Sequence, residues 1–291
     1  MRIGVISLSV ILGFAGVPSA LSAAPLNVVA AENVYGDLAE QLGRDKVSVT
    51  SILTNPAQDP HLFEAGASAA RALAGAELAI YNGADYDPWM VKLLSVTGGP
   101  SRGVIVAADL ARVRPGGNPH LWYDPAVMGI IARAVTESLT IADPSGADDY
   151  AAHLRDFDRS MMPLTNRIEA MRGKYAGMPV TATEPVFDYM AGAIGLQMRN
   201  PAFQLAVMND TEPSARDVAA FEDDLKQHKV KVLLYNTQSS GTLSQRMRRI
   251  AEEAKVPVVG VSETEPPGTH YQDWMSAQLD ALDAALRVTA Q

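Results

Sequence analysis

Apolar and polar positions alternate over residues 47–53 (Val-Ser-Val-Thr-Ser-Ile-Leu), and short apolar runs recur at 27–31, 78–81 and 103–108. Each reads as a strand. Between them the spacing turns helical. Val34, Leu38 and Leu42 repeat over 33–42 up to Gly43, residues 67–74 are alanine-rich up to Gly75, and 89–94 is a third helical segment. Strand alternating with helix at this interval predicts a parallel sheet with helices on both faces. Residues 125–142 and 148–172 are then two helical segments in succession, the second long, charged and ending at Gly173. Pro163 lies inside it and is expected to kink or split it. The alternation restarts with strands at 179–183, 230–235 and 256–261 and helices at 187–195, 214–228, 243–254 and 271–287. The expected fold is α/β: two α/β lobes with parallel sheets joined by one long rigid backbone helix. The divisions are a leader at 1–24, an N-terminal lobe at 25–147, the connecting helix at 148–174 and a C-terminal lobe at 175–291.

Composition narrows the setting. A chain of 291 residues can bury two sizeable cores, and a net charge of −9 disfavours nucleic acid or an anionic membrane as partner while suiting cations. Arg2, the apolar run 3–17 and Ser22-Ala23-Ala24 have the layout of a cleaved export signal. The sequence has no cysteine, so it offers neither a disulfide, nor a thiolate ligand, nor the acceptor for a lipid anchor. A free, monomeric protein of a periplasm-like space is expected.

The candidate chemistry centres on Asp59-Pro60-His61-Leu62, directly after the strand at 47–53, and on its echo Asn118-Pro119-His120-Leu121. Two Pro-His-Leu units in a chain with five histidines point to two ligands of one metal. The prolines disfavour helix before each imidazole, which places it on a stiff loop at the carboxyl edge of a sheet, where open α/β folds bind ligands. Two imidazoles hold a divalent ion weakly, so the second half must contribute. Glu184 and Glu263 each follow a predicted strand, with Glu265 a rival for the latter's role. His270 is near enough in sequence to reach the site, whereas His153 and His228 sit among charged, solvated neighbours.

These motifs, with Asn82-Gly83-Ala84-Asp85 and Glu212-Pro213-Ser214-Ala215, resemble the periplasmic metal-binding receptors of zinc and manganese ABC importers over almost all of 26–286. The resemblance implies two lobes on a rigid helix, one buried zinc or manganese ion carried between them, and a membrane permease as partner. It implies His61, His120, Glu184 and Glu263 as the metal ligands. Glu184 stands where zinc receptors of the family usually have histidine and manganese receptors glutamate, and Glu263 where aspartate is usual. Tyr235-Asn236-Thr237-Gln238 lacks the acidic residue common at that point, and the stretch 112–120 is too short for the histidine-rich loop of many zinc receptors. Both the glutamate and the short loop lean towards manganese or ferrous iron. Mixed imidazole and carboxylate donors leave the choice open, because intrinsic affinity favours zinc over manganese.

Two other function classes have their own sequence requirements. A metal-dependent hydrolase with a catalytic zinc would need three ligands, an open position for water and a base, for which Glu265 is the candidate. The sequence contains no His-Glu-x-x-His and no Gly-x-Ser-x-Gly. A receptor for an organic solute would want an aromatic-lined cleft, and aromatics make up 6% of this chain.

Overall fold

The computed structural model describes residues 24–98, 102–239 and 241–289. The expected leader therefore lies, through residue 23, outside the described residues. Two four-stranded parallel sheets form the scaffold. The first is built from β1 (Leu26–Glu32), β2 (Val47–Leu53), β3 (Leu78–Tyr81) and β4 (Gly103–Val106), in the order β2-β1-β3-β4. The second uses β5 (Pro179–Ala182), β6 (Gln197–Arg199), β7 (Leu233–Asn236) and β8 (Val258–Val261), in the order β6-β5-β7-β8. In each sheet the first strand in sequence is an inner one, so the chain winds outwards from it on both sides.

The helices lie between strands as the periodicity predicts: α1 (Asn33–Gly43), α2 (Ala67–Ala74), α3 (Pro88–Val96), α5 (Pro125–Ala142), α7 (Asp188–Ile194), α9 (Ala215–Lys226), α10 (Thr242–Glu253) and α11 (Tyr271–Thr289). On α1 the stripe Val34, Leu38 and Leu42 is fully buried. Gly43 ends this helix for a reason of packing rather than chirality: its φ is −94°, and a Cβ there would fall 2.3 Å from a Val47 methyl. In α5, Pro125 opens the first turn and Asp124 caps it by accepting from the Ala126 N–H at 2.9 Å. This helix is apolar enough over 18 residues to cross a membrane by length and composition, yet its apolar stripe is spent on the protein core.

Three details differ from expectation. The predicted strand at 103–108 stops at Val106, and a short helix α4 (Ala107–Ala111) follows. Strand β6 and helix α8 (Pro201–Met208) fill a stretch in which no element was expected. The long helix α6 (Ala147–Tyr175) runs unbroken through Pro163 and one turn's end beyond Gly173. Pro163 removes the donor to the carbonyl of Arg159, but both residues are on the exposed face, where water satisfies that carbonyl.

The opposite face of α6 buries Tyr150, Phe157, Leu164, Ile168 and Met171. These residues belong to one apolar cluster that runs from Val28 and Ile80 of the first sheet to Val180, Leu234 and Leu286 of the second half. The lobes thus share this core, beside a smaller apolar cluster of their own around Leu73 and Trp89 in the first and around Phe203 and Phe221 in the second, and α11 reinforces the joint through Arg167–Asp280 (2.6 Å) and the Tyr175 hydroxyl donating to Asp283 (2.6 Å).

Candidate metal centre

The carboxyl ends of the two sheets face each other, and the loops leaving them carry the candidate residues. His120 lies on the loop after α4, fully buried. Its Nδ1 is 2.7 Å from the side-chain oxygen of Asn118, whose own amide donates to the Pro185 carbonyl at 2.7 Å. That second bond fixes which end of Asn118 faces the ring, so Nδ1 donates to it and Nε2 is the nitrogen turned to the site. Nε2 stands 3.2 Å from a carboxylate oxygen of Glu263. Tyr86 and Trp122 wall the ring, with centroids 6.1 and 5.6 Å away, and the Tyr86 hydroxyl donates to the same Glu263 oxygen at 3.0 Å.

Glu184 follows β5 and Glu263 follows β8; they are 5% and 2% exposed. Between them stands Asn236, at the end of β7, whose amide donates to Glu184 at 3.0 Å and to Glu263 at 2.7 Å. Burial raises the Glu184 carboxyl above its ordinary range, the Glu263 charge raises it further, and the Ser239 and Asn236 hydrogen bonds and His120 oppose the rise. The groups that act most on Glu184 thus include no lysine or arginine. His61 lies in a single tight turn, Pro60–Leu62, on the loop after β2; its side chain lies outside the described residues. Among the described side chains, no three histidines or carboxylates yet close on one point as an ion's ligands would.

The structure separates the two rival glutamates. Glu265 is turned away from His120 into a cleft with Asn33, Asp37, Glu40 and His270. Burial, with Asp37 and Glu40 nearby, pushes its carboxyl up to about 9, and one of its oxygens is buried without a partner. His270 pairs with Asp37 at 2.5 Å, His153 holds the Leu42 carbonyl at 2.8 Å, and His228 is exposed beyond α9. None of these three joins His120.

Beneath the His120 loop is a polar network that sequence reasoning missed. Asp87, 1% exposed, accepts from the backbone N–H groups of Asn82 (2.7 Å) and Gly83 (2.8 Å). The Asn82 amide donates to the Pro119 carbonyl at 2.8 Å and accepts from the Tyr35 hydroxyl at 2.6 Å. The Asn-Gly turn was legible as a motif, but its role in seating the residue before His120 was not. Glu32, 2% exposed, lies against Asp87. Burial and Asp87 raise Glu32 well above the usual carboxylate range, and burial pushes Asp87 up to about 6. Burial thus favours a proton on this pair, and the two backbone N–H groups on Asp87 make it the better seat for the charge.

The chain is similar to known metal-binding proteins. Over 93% of its length the chain is 23% identical to the manganese ABC transporter substrate-binding lipoprotein PsaA of Streptococcus anginosus, covering 92% of that protein. It is 23% identical to the manganese-binding lipoprotein MntA of Bacillus subtilis over 74% of this chain and 72% of that one. In fold it matches the periplasmic zinc-binding protein TroA of Treponema pallidum, with a TM-score of 0.76 at 20% identity, covering 91% of this chain and 99% of the other. The family model for the zinc-uptake complex component A, periplasmic, matches residues 28–285, and the chain belongs to that family.

Proposed function

We propose that this protein is the solute-binding component of an ABC importer, capturing one divalent transition-metal ion between its lobes and delivering it to a membrane permease. The observation that carries the reading is the burial of an imidazole and two carboxylates, His120, Glu263 and Glu184, where two sheet edges meet. Gathered carboxylates taken out of water are costly unless a cation joins them. The proposed ligands are His61, His120, Glu184 and Glu263. The cargo is Zn2+ or Mn2+: the family is described by zinc uptake, and the relatives above by manganese. Nothing in the relatives supports the hydrolase alternative, and the protein is proposed to be a monomeric carrier without catalysis.

The lobe limits 25–147 and 175–291, joined by 148–174, are kept as the working division. Because the core is continuous across it, ion release proceeds by small lobe tilts and loop movement rather than wide hinge opening. The site of action is outside the cytoplasm, after removal of the leader within 1–24. Several relatives are named lipoproteins, but this sequence has no cysteine to carry such a lipid. Calorimetric titration of the metal-free protein with Zn2+ and with Mn2+ tests the reading. One saturable ion per chain, with affinity at least about a hundredfold weaker in His120→Ala and in His61→Ala, is expected. No saturable binding refutes it.

A further inference from the structure

The end of β7 and the loop after it hold two buried amides, Asn236 at 2% and Gln238 at 6% exposure. Asn236 spaces the carboxylates of Glu184 and Glu263, and its side-chain oxygen accepts from the Gln238 N–H at 3.1 Å. Gln238 reaches further. Its side-chain oxygen accepts from the backbone N–H groups of Glu263 (2.6 Å) and Thr264 (3.0 Å). Its nitrogen donates to the Thr264 hydroxyl (3.0 Å) and, across the cleft, to the backbone carbonyl of Gln58 (2.8 Å).

Gln58 stands three residues before His61, in a loop stiffened by a turn from Asn55 and by the tight turn Pro60–Leu62. One saturated amide therefore joins the loop that bears His61 to the loop that bears Glu263. Other bonds between the halves lie along α1, where Asn33 pairs with the Glu265 backbone (2.7 and 3.2 Å) and Asp37 with His270 (2.5 Å), and on the His120 side, such as the Tyr123 hydroxyl to the Ser262 carbonyl (2.7 Å) and Asn118 to Pro185 (2.7 Å). The His120 side is backed by the shared core, whereas residues 54–59 are irregular backbone between a strand and a turn.

We propose that Gln238 is an interlobe latch, a positioning residue that sets how long the ion is held, an inference that rests on the transport reading above. A bond that forms only once both loops have come together restrains departure without aiding encounter. Its loss should therefore appear in the dissociation rate and not in the association rate. A residue that merely supports the fold would instead lower the stability of the metal-free protein and disturb both rates.

Stopped-flow transfer of Zn2+, and separately Mn2+, from the full chain to a chelator tests this. Gln238→Glu keeps an acceptor for the Glu263 and Thr264 N–H groups but turns an oxygen towards the Gln58 carbonyl. Gln238→Met removes every side-chain bond. Gln238→Glu is expected to release the ion about tenfold faster, equivalent to about 1.4 kcal/mol, with association within about twofold and metal-free melting unchanged. If Gln238→Glu does not fold, Gln238→Met carries the same expectation for release. A folded variant that releases at the wild-type rate, or one whose metal-free stability falls in step with its affinity, overturns the latch and leaves the transport reading standing. A wild-type chain that binds neither ion overturns both.

Discussion

Glu32→Gln is predicted to stabilise the metal-free protein, and to do so increasingly as pH rises. Glu32 is 2% exposed, beside Asp87. In the unfolded chain it loses its proton near 4.5, while in the native core burial and Asp87 keep it protonated well above that value. The folded state thus binds more protons than the unfolded one, so stability declines as pH increases from about 4.5 to the native pKa. Each pH unit over which only the folded state keeps the proton costs about 1.4 kcal/mol. Glutamine keeps the shape and an N–H donor for the Asp87 carboxylate but has no proton to acquire. Urea unfolding of the metal-free wild type and Glu32→Gln at pH 5 and pH 7.5 measures the effect. The variant is expected to gain about 1–3 kcal/mol at pH 7.5 and a few tenths at pH 5. An equal loss at both pH values would refute the reasoning, because it would mean that Glu32 is ionised and usefully partnered in the native state.

Three further outcomes follow from other parts of the molecule. Pro163→Ala should raise stability by about 1–3 kcal/mol in thermal or chemical unfolding, since α6 already runs through this position and alanine restores the missing donor. Asn118→Ala frees Nδ1 of His120 and should weaken ion affinity about 10- to 100-fold in competition titrations while leaving the fold intact. Donation to the Asp37 carboxylate holds His270 above its ordinary value of 6.5, so Asp37→Asn should lower the midpoint of His270 protonation as followed by NMR.

Much of the scaffold was readable because its strands and helices are bounded by proline and glycine and carry clean periodicity. Residues 33–42 and 47–53 show this most plainly. The elements that escaped have little period to show: β6 has three residues, α4 has five, and α8 begins after Asn200 in the left-handed region. Pro163 misled because a local rule cannot tell an exposed helix face from a buried one, and on the exposed face the orphan carbonyl is hydrated.

At the site, His120, Glu184 and Glu263 could be proposed because each follows a strand or a proline in a recognisable phrase, and the structure brings the three side chains near one another. The choice between Glu263 and Glu265 could not be read from a strand-end motif. It depends on which way a two-residue step turns the side chain, and the mutual backbone–amide bonds of Glu265 with Asn33 (2.7 and 3.2 Å) are what turn it outwards. Asn236 and Gln238 were noted only for the acid they lack. Their bonding, one amide between two carboxylates and another between two loops, joins positions up to 180 residues apart and exists only in three dimensions.

The central claim is that loops from both halves meet on one ion, and anomalous diffraction from crystals of the protein loaded with Mn2+ or Zn2+ tests it most directly. The account predicts one peak per chain, about 2.0–2.2 Å from an imidazole nitrogen of His61 and of His120 and from a carboxylate oxygen of Glu184 and of Glu263. A peak beside Glu265 and Asp37, or an ion held by residues of one half alone, would contradict it.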